Sequence, residues 1–530
     1  MESIKTFKFN ESSISDMATY RHCKNWPVVY MIENGREMYI GETTSAYSRT
    51  KQHLKDTRRK DLNKIHLVID DEYNKSAALD IESSLIEYIA ADGTFSLQNG
   101  NLGLSNHNYY DREKYQAKFE LLWESLKKKT LVKKELIQIR NSDLFKYSPY
   151  KALTEDQIIV AENIIDLMKM GERIPNIVSG APGTGKTVLA VYLVKRLKES
   201  DDFNNLNIAL VVPMTSLRKT LKKVFKNVKG LSSNMVIGPS QVVNKKYDIL
   251  IVDEAHRLRR RVNLMPGQYA TFDKINKSLG LDDGDELDWI INFSKYQVLF
   301  YDENQSIKPS DVKKKKFENI NFYTHELTSQ LRVKGGNDYI EFIDNLLNNQ
   351  TIQKCYFKNY DFKIYNDIKE MVNDIKIKNK KHELSRLVAG YAWDWQTKEK
   401  KNINYDTDFD IEINGTKLTW NTTAADWVNS KNSINEVGCI HTIQGYDLNY
   451  VGVIIGPELS YDFSKREFII NKDLYKDKKG KNSIKNPKEL EKYILNIYKV
   501  LLTRGILGTY VYVCDESLKK YLEESILINK

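Results

Sequence analysis

The chain of 530 residues alternates short apolar runs with longer segments of helical periodicity. From Leu153 onward this alternation is typical of parallel strands joined by crossover helices. The apolar runs are short enough to be buried strands. They are NIVSG, NIALVVP, DILIVDE and QVLFYDE, followed after about residue 325 by RLVAGYA, YVGVIIG and TYVYVC. The pattern predicts an α/β fold with two parallel-sheet lobes, at 151–325 and 326–530.

The first 105 residues have a different pattern, in which short strands and helices predict a small mixed α+β domain. Residues 106–150 form a predicted helical connector. Its charged stretch carries apolar positions at helical spacing, among them Phe119, Leu122 and Trp123. The sequence therefore predicts four segments, of which the connector is the second.

A hairpin is predicted within VVYMIENGREMYIG, because Asn34-Gly35 between two apolar runs is a strong turn signal. A two-residue turn there would pair Tyr30 directly with Tyr39 on one face of the hairpin. Two cross-strand tyrosines also occur as a simple packing pair. The opposite face would turn Val29, Met31, Met38 and Ile40 toward the core.

Polar groups follow this hairpin at informative spacings. Arg49 and His53 are four residues apart on a predicted helix and therefore share one face. A later predicted helix, SAALDIESSLIEYIA, has Glu82 inside its apolar stripe. A carboxylate on a packing face requires a metal ion or a cation as partner. The alternative is a glutamate at the edge of the stripe that pairs with Arg49 or is solvated.

A phosphate-binding loop is the most specific pattern in the chain. GAPGTGKT matches G-x-x-x-x-G-K-[ST] and lies between a predicted strand and a predicted helix. Asp253 and Glu254 end a later apolar strand, where they would orient Mg²⁺ and polarise the attacking water. The loop residues expected to bind nucleotide and metal are Gly180, Gly183, Thr184, Gly185, Lys186 and Thr187.

With these motifs the order of the chain resembles a superfamily 1 helicase ATPase, of the compact type found in Schlafen proteins. The resemblance covers about residues 150–515 and implies two RecA-like lobes that use ATP and Mg²⁺ on nucleic acid. VVPMTSLRKTL resembles the motif that contacts the nucleic-acid backbone. The residues implied are Gln157 as adenine reader, Asp302 and Gln305 as γ-phosphate sensor, Arg332 and Arg504 as the arginines facing the phosphate, and Gln444 with Gly445 in motif V.

One spacing departs from the strand-separating members of that superfamily. Pro213 and Asp253 are only about 40 positions apart, and Glu254 and Asp302 about 50. Little room remains for a large insertion in the first lobe. The sequence therefore favours a nucleic-acid-stimulated ATPase over an unwinding enzyme.

Residues 25–105 resemble the GIY-YIG nuclease fold, with two hairpin tyrosines, R-x-x-x-H on a helix and a later glutamate. Asn99 falls where that family often has a closing asparagine. The resemblance implies metal-dependent phosphodiester hydrolysis, with Mg²⁺ or Mn²⁺ held by Glu82. It also implies that Tyr30 positions the water, that Arg49 stabilises the phosphorane charge, and that Tyr39 and His53 assist. The first triplet departs from the pattern, since Val28-Val29-Tyr30 stands in place of Gly-Ile-Tyr.

Composition limits the class of protein. The net charge of +10 suits a polyanionic partner but does not distinguish DNA from RNA. DNA is the nucleic acid expected first. No apolar run approaches the roughly 18 residues of a membrane span, and no signal peptide is evident, so a cytoplasmic protein without a membrane partner is expected. The four scattered cysteines predict neither a disulfide framework nor a zinc site.

Together these patterns predict an ATP-controlled endonuclease. Such fusions in bacteria resemble components of anti-phage defence, which is the role that the resemblance implies. Two alternatives stay open: a repair or recombination nuclease-helicase, and an ATPase switch whose N-terminal domain binds nucleic acid without cutting it. A homo-oligomer or a separately encoded defence partner is compatible with the sequence.

Overall fold

The computed structural model describes residues 3–99, 109–350, 357, 359–398, 400, 403–423, 426–443, 445–482 and 484–527. Gln444 and the predicted boundary at residue 105 lie outside the described residues. The chain divides into two compact units. The smaller unit comprises Met1–Asp166, Val191–Asn205 and Leu221–Met235, and the larger unit comprises Leu167–Ala190, Leu206–Thr220 and Val236–Lys530.

A five-stranded sheet with helices forms the N-terminal part of the smaller unit, as the mixed α+β prediction requires. Its strand order is β1-β4-β2-β3-β5. Three helices of the predicted connector follow it. The elements are β1 Ser3–Lys8, α1 Ser13–Thr19, β2 Val28–Glu33, β3 Glu37–Thr43, α2 Ala46–Leu54, β4 Lys64–Ile69, α3 Lys75–Asp92, β5 Ser96–Leu97, α4 Arg112–Lys128, α5 Leu136–Asn141 and α6 Asp143–Lys146.

The first parallel sheet of the larger unit has the strand order β11-β6-β10-β9-β7-β8, and its described pairings are all parallel. Its last strand ends at Leu327, just beyond the predicted boundary at 325. The elements of this region are α7 Glu155–Lys169, β6 Asn176–Gly180, α8 Lys186–Glu199, β7 Ile208–Val211, α9 Thr215–Asn227, β8 Val236–Ile237, β9 Tyr247–Val252, α10 Pro266–Leu279, α11 Glu286–Asn292, β10 Ser294–Tyr301, α12 Lys314–Glu318 and β11 Tyr323–Leu327.

The second parallel sheet has seven strands in the order β12-β20-β17-β13-β16-β15-β14, with one antiparallel pair, β14–β15, at its edge. The elements are α13 Gly336–Leu347, β12 Asp361–Tyr365, α14 Ile368–His382, β13 Ser385–Ala389, β14 Ile411–Ile413, β15 Thr416–Trp420, β16 Glu436–Cys439, α15 Ile440–Ile443, β17 Leu448–Ile455, β18 Leu459–Asp462, β19 Glu467–Ile470, α16 Lys478–Lys481, α17 Pro487–Leu502, β20 Gly505–Val513 and α18 Glu516–Leu527.

Strand β17, the third of the seven strands in this order, is buried on both faces. Val451 and Val453 of β17 enter one hydrophobic core, whereas Tyr450 and Ile454 enter another. Continuous apolar strands of this kind are expected where helices cover both faces of a parallel sheet. The two predicted α/β lobes are therefore confirmed as parallel sheets. None of the helices in the described ranges is both long and apolar enough to cross a membrane.

The predicted register of the β2–β3 hairpin is wrong. Tyr30 pairs with Gly41, and Tyr39 pairs with Ile32. The reason is the turn: Gly35 has φ 83° whereas Arg36 stays at negative φ, so the central pair is Gly35-Arg36, as in a type II′ turn. The two tyrosines still share a face, but as diagonal neighbours.

The observed register predicts a specific cost for a methyl group at Gly41. A Cβ there would lie 2.4 Å from the Tyr30 hydroxyl oxygen and 2.5 Å from its Cζ. We expect Gly41→Ala to displace the Tyr30 ring and to lower the free energy of unfolding by about 1–3 kcal/mol. Denaturant unfolding measures this effect. Gly267→Ala is the control, because a Cβ at Gly267 meets no atom within 4 Å, and equal unfolding midpoints for the two variants would contradict the prediction.

Candidate active sites

The phosphate-binding loop connects β6 to α8, and its backbone has the curl that the glycine pattern predicts. Gly183 and Gly185 have φ of 91° and 78°. Lys186 starts α8, and its ammonium donates to the carbonyl oxygens of Gly180 at 2.5 Å and Ala181 at 3.1 Å. Thr184 is buried, and its hydroxyl donates to the Ala181 carbonyl oxygen at 3.0 Å. The lysine is thus held inside the loop by weakly basic acceptors that phosphate oxygens can replace.

Two acidic residues follow β9, as predicted. The Asp253 carboxylate is buried and is hydrogen-bonded to the Thr187 side chain, while its Oδ2 has no hydrogen-bond partner among the described residues. Burial and the neighbouring Glu254 carboxylate raise the pKa of Asp253. A hydroxyl oxygen beside an unsatisfied carboxylate oxygen is a donor set that fits Mg²⁺.

Glu254 has φ 54° and its carboxylate lies 2.8 Å from Nε2 of His256. Burial acts to raise the pKa of Glu254, but the charges of His256, Lys186 and Arg504 outweigh it and hold the pKa below its ordinary value. The carboxylate is therefore ionised near neutral pH. An ionised carboxylate beside the phosphate-binding loop can accept a hydrogen bond from a water molecule.

The predicted sensor residues lie against the same lysine. Oδ2 of Asp302 is 3.4 Å from the Lys186 ammonium and accepts a hydrogen bond from the Gln305 amide at 2.7 Å. All three residues are buried. The segment that follows β11 is linked to this centre as well, since the Gln330 amide donates to the Pro182 carbonyl oxygen at 2.7 Å.

Both predicted arginines reach this centre. Arg332 is two residues after Gln330, and its Nε lies 2.6 Å from Oδ1 of Asp447. Arg504 is buried, donates to the Tyr446 carbonyl oxygen at 3.3 Å, and contributes to the low pKa of Glu254. Gln157 lies in the smaller unit, where its Oε1 accepts the Thr154 N–H at 3.1 Å, and its role as adenine reader stays a prediction.

A second constellation occupies the smaller unit. The hydroxyl of Tyr30 is 2.8 Å from Nε2 of His53 and accepts a hydrogen bond from Nε of Arg49 at 3.2 Å. The Tyr39 ring packs against His53, with ring centroids 5.1 Å apart. The predicted pair on α2 therefore meets the predicted hairpin tyrosines. Tyr30 is only 1% exposed, so its hydroxyl lies behind Arg49 and His53.

Asn99 is joined to the middle of the Tyr39-Ile40-Gly41 segment. Its Oδ1 accepts the Ile40 N–H at 3.1 Å, and its Nδ2 donates to the Ile40 carbonyl oxygen at 2.8 Å. A buried side chain that satisfies both groups of one residue fixes the strand at that point. Asn99, at the position that the nuclease resemblance predicts for an asparagine, thus holds β3 in place through the Ile40 backbone.

Glu82 of α3 accepts a hydrogen bond from the backbone N–H of Glu42. Burial, and then the Glu42 carboxylate, raise the pKa of Glu82 to about 7. The alternative of an ion pair with Arg49 is not borne out among the described residues, where Glu82 forms no salt bridge. Nor do those residues contain a group of three metal-ligating side chains. One carboxylate is compatible with Mg²⁺, which usually keeps several waters.

These groups border a cleft of about 660 Å³, called here the N-terminal cleft. It includes residues that the sequence patterns did not single out, chiefly Arg59, which is buried, and Lys151, the first residue after the predicted connector. Arg59 and Lys151 are far apart in the sequence, so no local pattern indicated that they line the same cleft. The lining residues are Tyr39, Glu42, Arg49, Gln52, His53, Asp56, Arg58, Arg59, Leu79, Glu82, Ser83, Ile86, Gln98, Asn99, Tyr150, Lys151 and Ala152.

Another cleft, of about 450 Å³, lies in the larger unit beside the predicted backbone-contact motif. Residues 213–216 line it together with Arg257, Arg259 and Lys308. The basic run at 257–261 contains three arginines at positions 259–261 and one at 257. Arg257 is buried and pairs with Asp311 at 2.8 Å, so part of the run is internal.

Comparison with known proteins identifies the larger part of the chain. Residues 175–515, more than half of the sequence, match the family described as Schlafen group 3, DNA/RNA helicase domain. The chain belongs to this family. It carries a helicase-type ATPase domain built on the two parallel sheets, and the Schlafen part of the predicted resemblance is confirmed.

Other similarities are more distant. An uncharacterized protein of Saccharomyces cerevisiae is 26% identical over 396 residues, which cover 65% of this chain and 83% of the yeast protein. Pif1 helicase from Candida albicans covers 70% of this chain and 99% of its own, at 12% identity and a TM-score of 0.28. Pif1 helicase from Bacteroides, in complex with ADP-AlF3 and ssDNA, covers 68% and 92%, at 14% identity and a TM-score of 0.29.

The buried His53 predicts a pH dependence of stability. Burial, and then the charges of Arg59 and Arg49, lower its pKa to about 4 from an ordinary value of 6.5. As the pH falls from 6.5 to 4, the unfolded chain binds a proton that the folded chain does not. The free energy of unfolding therefore decreases within this pH window, and His53 does not change it above pH 6.5. We expect His53→Gln to lose less stability than the wild type between about pH 7.5 and about pH 5. Urea unfolding at both pH values tests this, and equal losses would contradict it.

Proposed function

We propose that this protein is an ATP-dependent nuclease, in which the Schlafen-type ATPase controls a metal-dependent GIY-YIG endonuclease that acts on nucleic acid, with DNA favoured over RNA. The observation that carries the proposal is the meeting of Tyr30, Tyr39, Arg49, His53 and Glu82 around the N-terminal cleft. Five polar groups from four elements, β2, β3, α2 and α3, converge there, in the order and facing that the nuclease resemblance implies.

In the cleft, Glu82 would hold Mg²⁺ or Mn²⁺, which supplies charge stabilisation and a metal-activated water. Arg49 presents its guanidinium to the cleft, where it offers donors to the oxygens of a phosphodiester. Its Nε remains bonded to Tyr30, which keeps the guanidinium in place. Tyr39 and the Ile40 backbone form the wall that Asn99 fastens.

The ATPase centre uses Lys186 and the loop amides for the β and γ phosphates, and Thr187 with Asp253 for Mg²⁺. Glu254 would orient the water that attacks the γ-phosphate. Gln305 with Asp302 would sense that phosphate, and Arg332 and Arg504 would stabilise its developing charge. The 450 Å³ cleft beside residues 213–216 is the proposed track for a single strand.

The chain itself supports the coupling of the two activities. Tyr150, Lys151 and Ala152 line the N-terminal cleft, and the Leu153–Gln157 segment follows them directly. The proposed adenine reader Gln157 thus lies only a few residues along the chain from a wall of the nuclease cleft. Anti-phage defence suits an enzyme of this kind, and repair or recombination would use the same two activities.

A second candidate function is a module that grips nucleic acid without cutting it. The burial of the Tyr30 hydroxyl favours it, since that oxygen does not open directly onto the cleft. The raised pKa of Glu82 argues for the nuclease, because a carboxyl group kept half-buried beside a second acid is suited to a cation.

Removal of the loop lysine should abolish ATP hydrolysis. We expect Lys186→Ala to lower kcat by roughly 10²–10³-fold, because the charge that faces the transferred phosphate is lost. Phosphate release in the presence of single-stranded nucleic acid measures this. Arg196→Ala, an exposed change on the same helix, is the control and should keep wild-type turnover. Equal turnover in Lys186→Ala would contradict the assignment of the ATPase centre.

Removal of the cleft carboxylate should abolish cutting and spare ATP hydrolysis. We expect Glu82→Ala to leave linear, circular and branched DNA, and RNA, intact in the presence of Mg²⁺ or Mn²⁺ and ATP. Ser83→Ala changes the same cleft wall without removing a charge and should cut like the wild type. Cutting by Glu82→Ala at the wild-type rate would refute the metal assignment. Binding without cutting by the wild type would favour the second candidate.

A further inference from the structure

Arg59 is a charged residue of the N-terminal cleft that neither resemblance assigns a role. Its side chain is only about 7% exposed. The guanidinium carbon lies 3.4 Å from the centre of the Tyr39 ring, and Nη1 donates to Oε1 of Gln98 at 3.1 Å. Its nearest carboxylate, on Asp56, is 4.0 Å away and is already paired with Arg58 at 2.8 Å.

Burial of a cation without a close carboxylate is energetically costly. The contact between Arg59 and His53 indicates what the buried guanidinium does. Nε of Arg59 donates to Nδ1 of His53 at 3.2 Å. A guanidinium has donors only, so Nδ1 must be the acceptor and cannot carry a proton. The imidazole proton of His53 therefore resides on Nε2. This tautomer follows from the positions of two nitrogen atoms, Nε of Arg59 and Nδ1 of His53, without reference to hydrogen positions.

The tautomer decides the direction of the next hydrogen bond. Nε2 of His53 is 2.8 Å from the Tyr30 hydroxyl and, with its proton, donates to it. Arg49 donates to the same oxygen at 3.2 Å. Both lone pairs of the Tyr30 oxygen are thus occupied by donors, so the hydroxyl proton cannot pass to His53. Burial raises the pKa of Tyr30, whereas the hydrogen bond from Arg49 acts to lower it.

We propose that Arg59 is a positioning residue that fixes His53 in the Nε2–H form, so that His53 supports Tyr30 as a hydrogen-bond donor and does not take its proton. The part of this inference that concerns cutting rests on the proposed nuclease function, whereas the tautomer does not. Arg59 contacts no substrate atom in this account; it acts through His53.

The charges around His53 agree with this arrangement. Arg49, Arg58 and Arg59 face it with Asp56, beside the rings of Tyr30 and Tyr39. Burial and the guanidinium groups lower the pKa of His53, so the ring remains neutral near pH 7. A cation–π contact with Tyr39 would by itself stabilise the fold, but it would not select between the two tautomers of His53.

The test uses the full-length chain with ¹⁵N-labelled histidine and long-range ¹H–¹⁵N correlation spectra at neutral pH. His53→Gln assigns the His53 signal among the 8 histidines. The wild type should show a protonated Nε2 and an unprotonated Nδ1. Arg59→Lys, which keeps the charge but loses the Nε donor, should show a mixture of tautomers. Arg58→Lys is the matched control, because Arg58 bonds Asp56 and not His53.

Two spectral results would overturn the inference. One is an Nδ1–H tautomer in the wild type, and the other is a pure Nε2–H tautomer in Arg59→Lys. Unchanged signals from the other histidines show that the variants are folded. If a variant does not fold, the wild-type spectrum still decides which tautomer His53 adopts.

Cutting assays extend the test to function. Arg59→Lys should cut about 10–100-fold more slowly than the wild type, the usual effect of losing a partner that orients a catalytic side chain, with a pH profile shifted relative to Arg58→Lys. Wild-type rates and profile in Arg59→Lys would overturn the positioning role. A wild type that never cuts would refute the proposed nuclease, and the tautomer result would still decide the inference.

Discussion

Three adjacent parallel strands determine what the larger unit can do. Strands β6, β10 and β9 run side by side, so their carboxyl ends meet at one edge of the sheet. The phosphate-binding loop, Asp302 and Asp253 each follow one of these strands. Their mutual distances therefore derive from strand pairing that is buried on both faces, and not from the loops themselves. A centre anchored in this way keeps its geometry while the loops around it exchange partners.

The N-terminal cleft depends on a smaller constraint of the same kind. Gly41 faces Tyr30 across the hairpin, and the missing side chain leaves the space that the tyrosine ring fills. Only with the ring there can its hydroxyl reach both Arg49 and His53. The glycine of Tyr39-Ile40-Gly41 thus has a steric purpose, and Asn99 holds the same strand by its backbone.

The sequence predicted most reliably what depends on short spacing. The phosphate-binding loop, the buried strands and the facing of Arg49 with His53 were visible in local periodicity and are observed. The hairpin register was not, because the choice between Asn34-Gly35 and Gly35-Arg36 as the central pair depends on backbone angles that the letters do not reveal. Arg59 and the 150–152 wall could not be predicted either, since they meet the cleft through tertiary packing. Their charges alone are indistinguishable from surface charges in the sequence.

The pairing of Arg332 with Asp447 bears on how tightly an ATPase centre of this kind would hold its nucleotide. A guanidinium waiting for a triphosphate would be an uncompensated charge each time the nucleotide departs. In the proposed function Arg332 faces the triphosphate, and Asp447 would then replace the phosphate as its anionic partner when the nucleotide leaves. Such an exchange would moderate nucleotide affinity and favour repeated turnover over tight binding. An ATPase that must release its product many times benefits when this arginine is paired with a carboxylate in the absence of nucleotide.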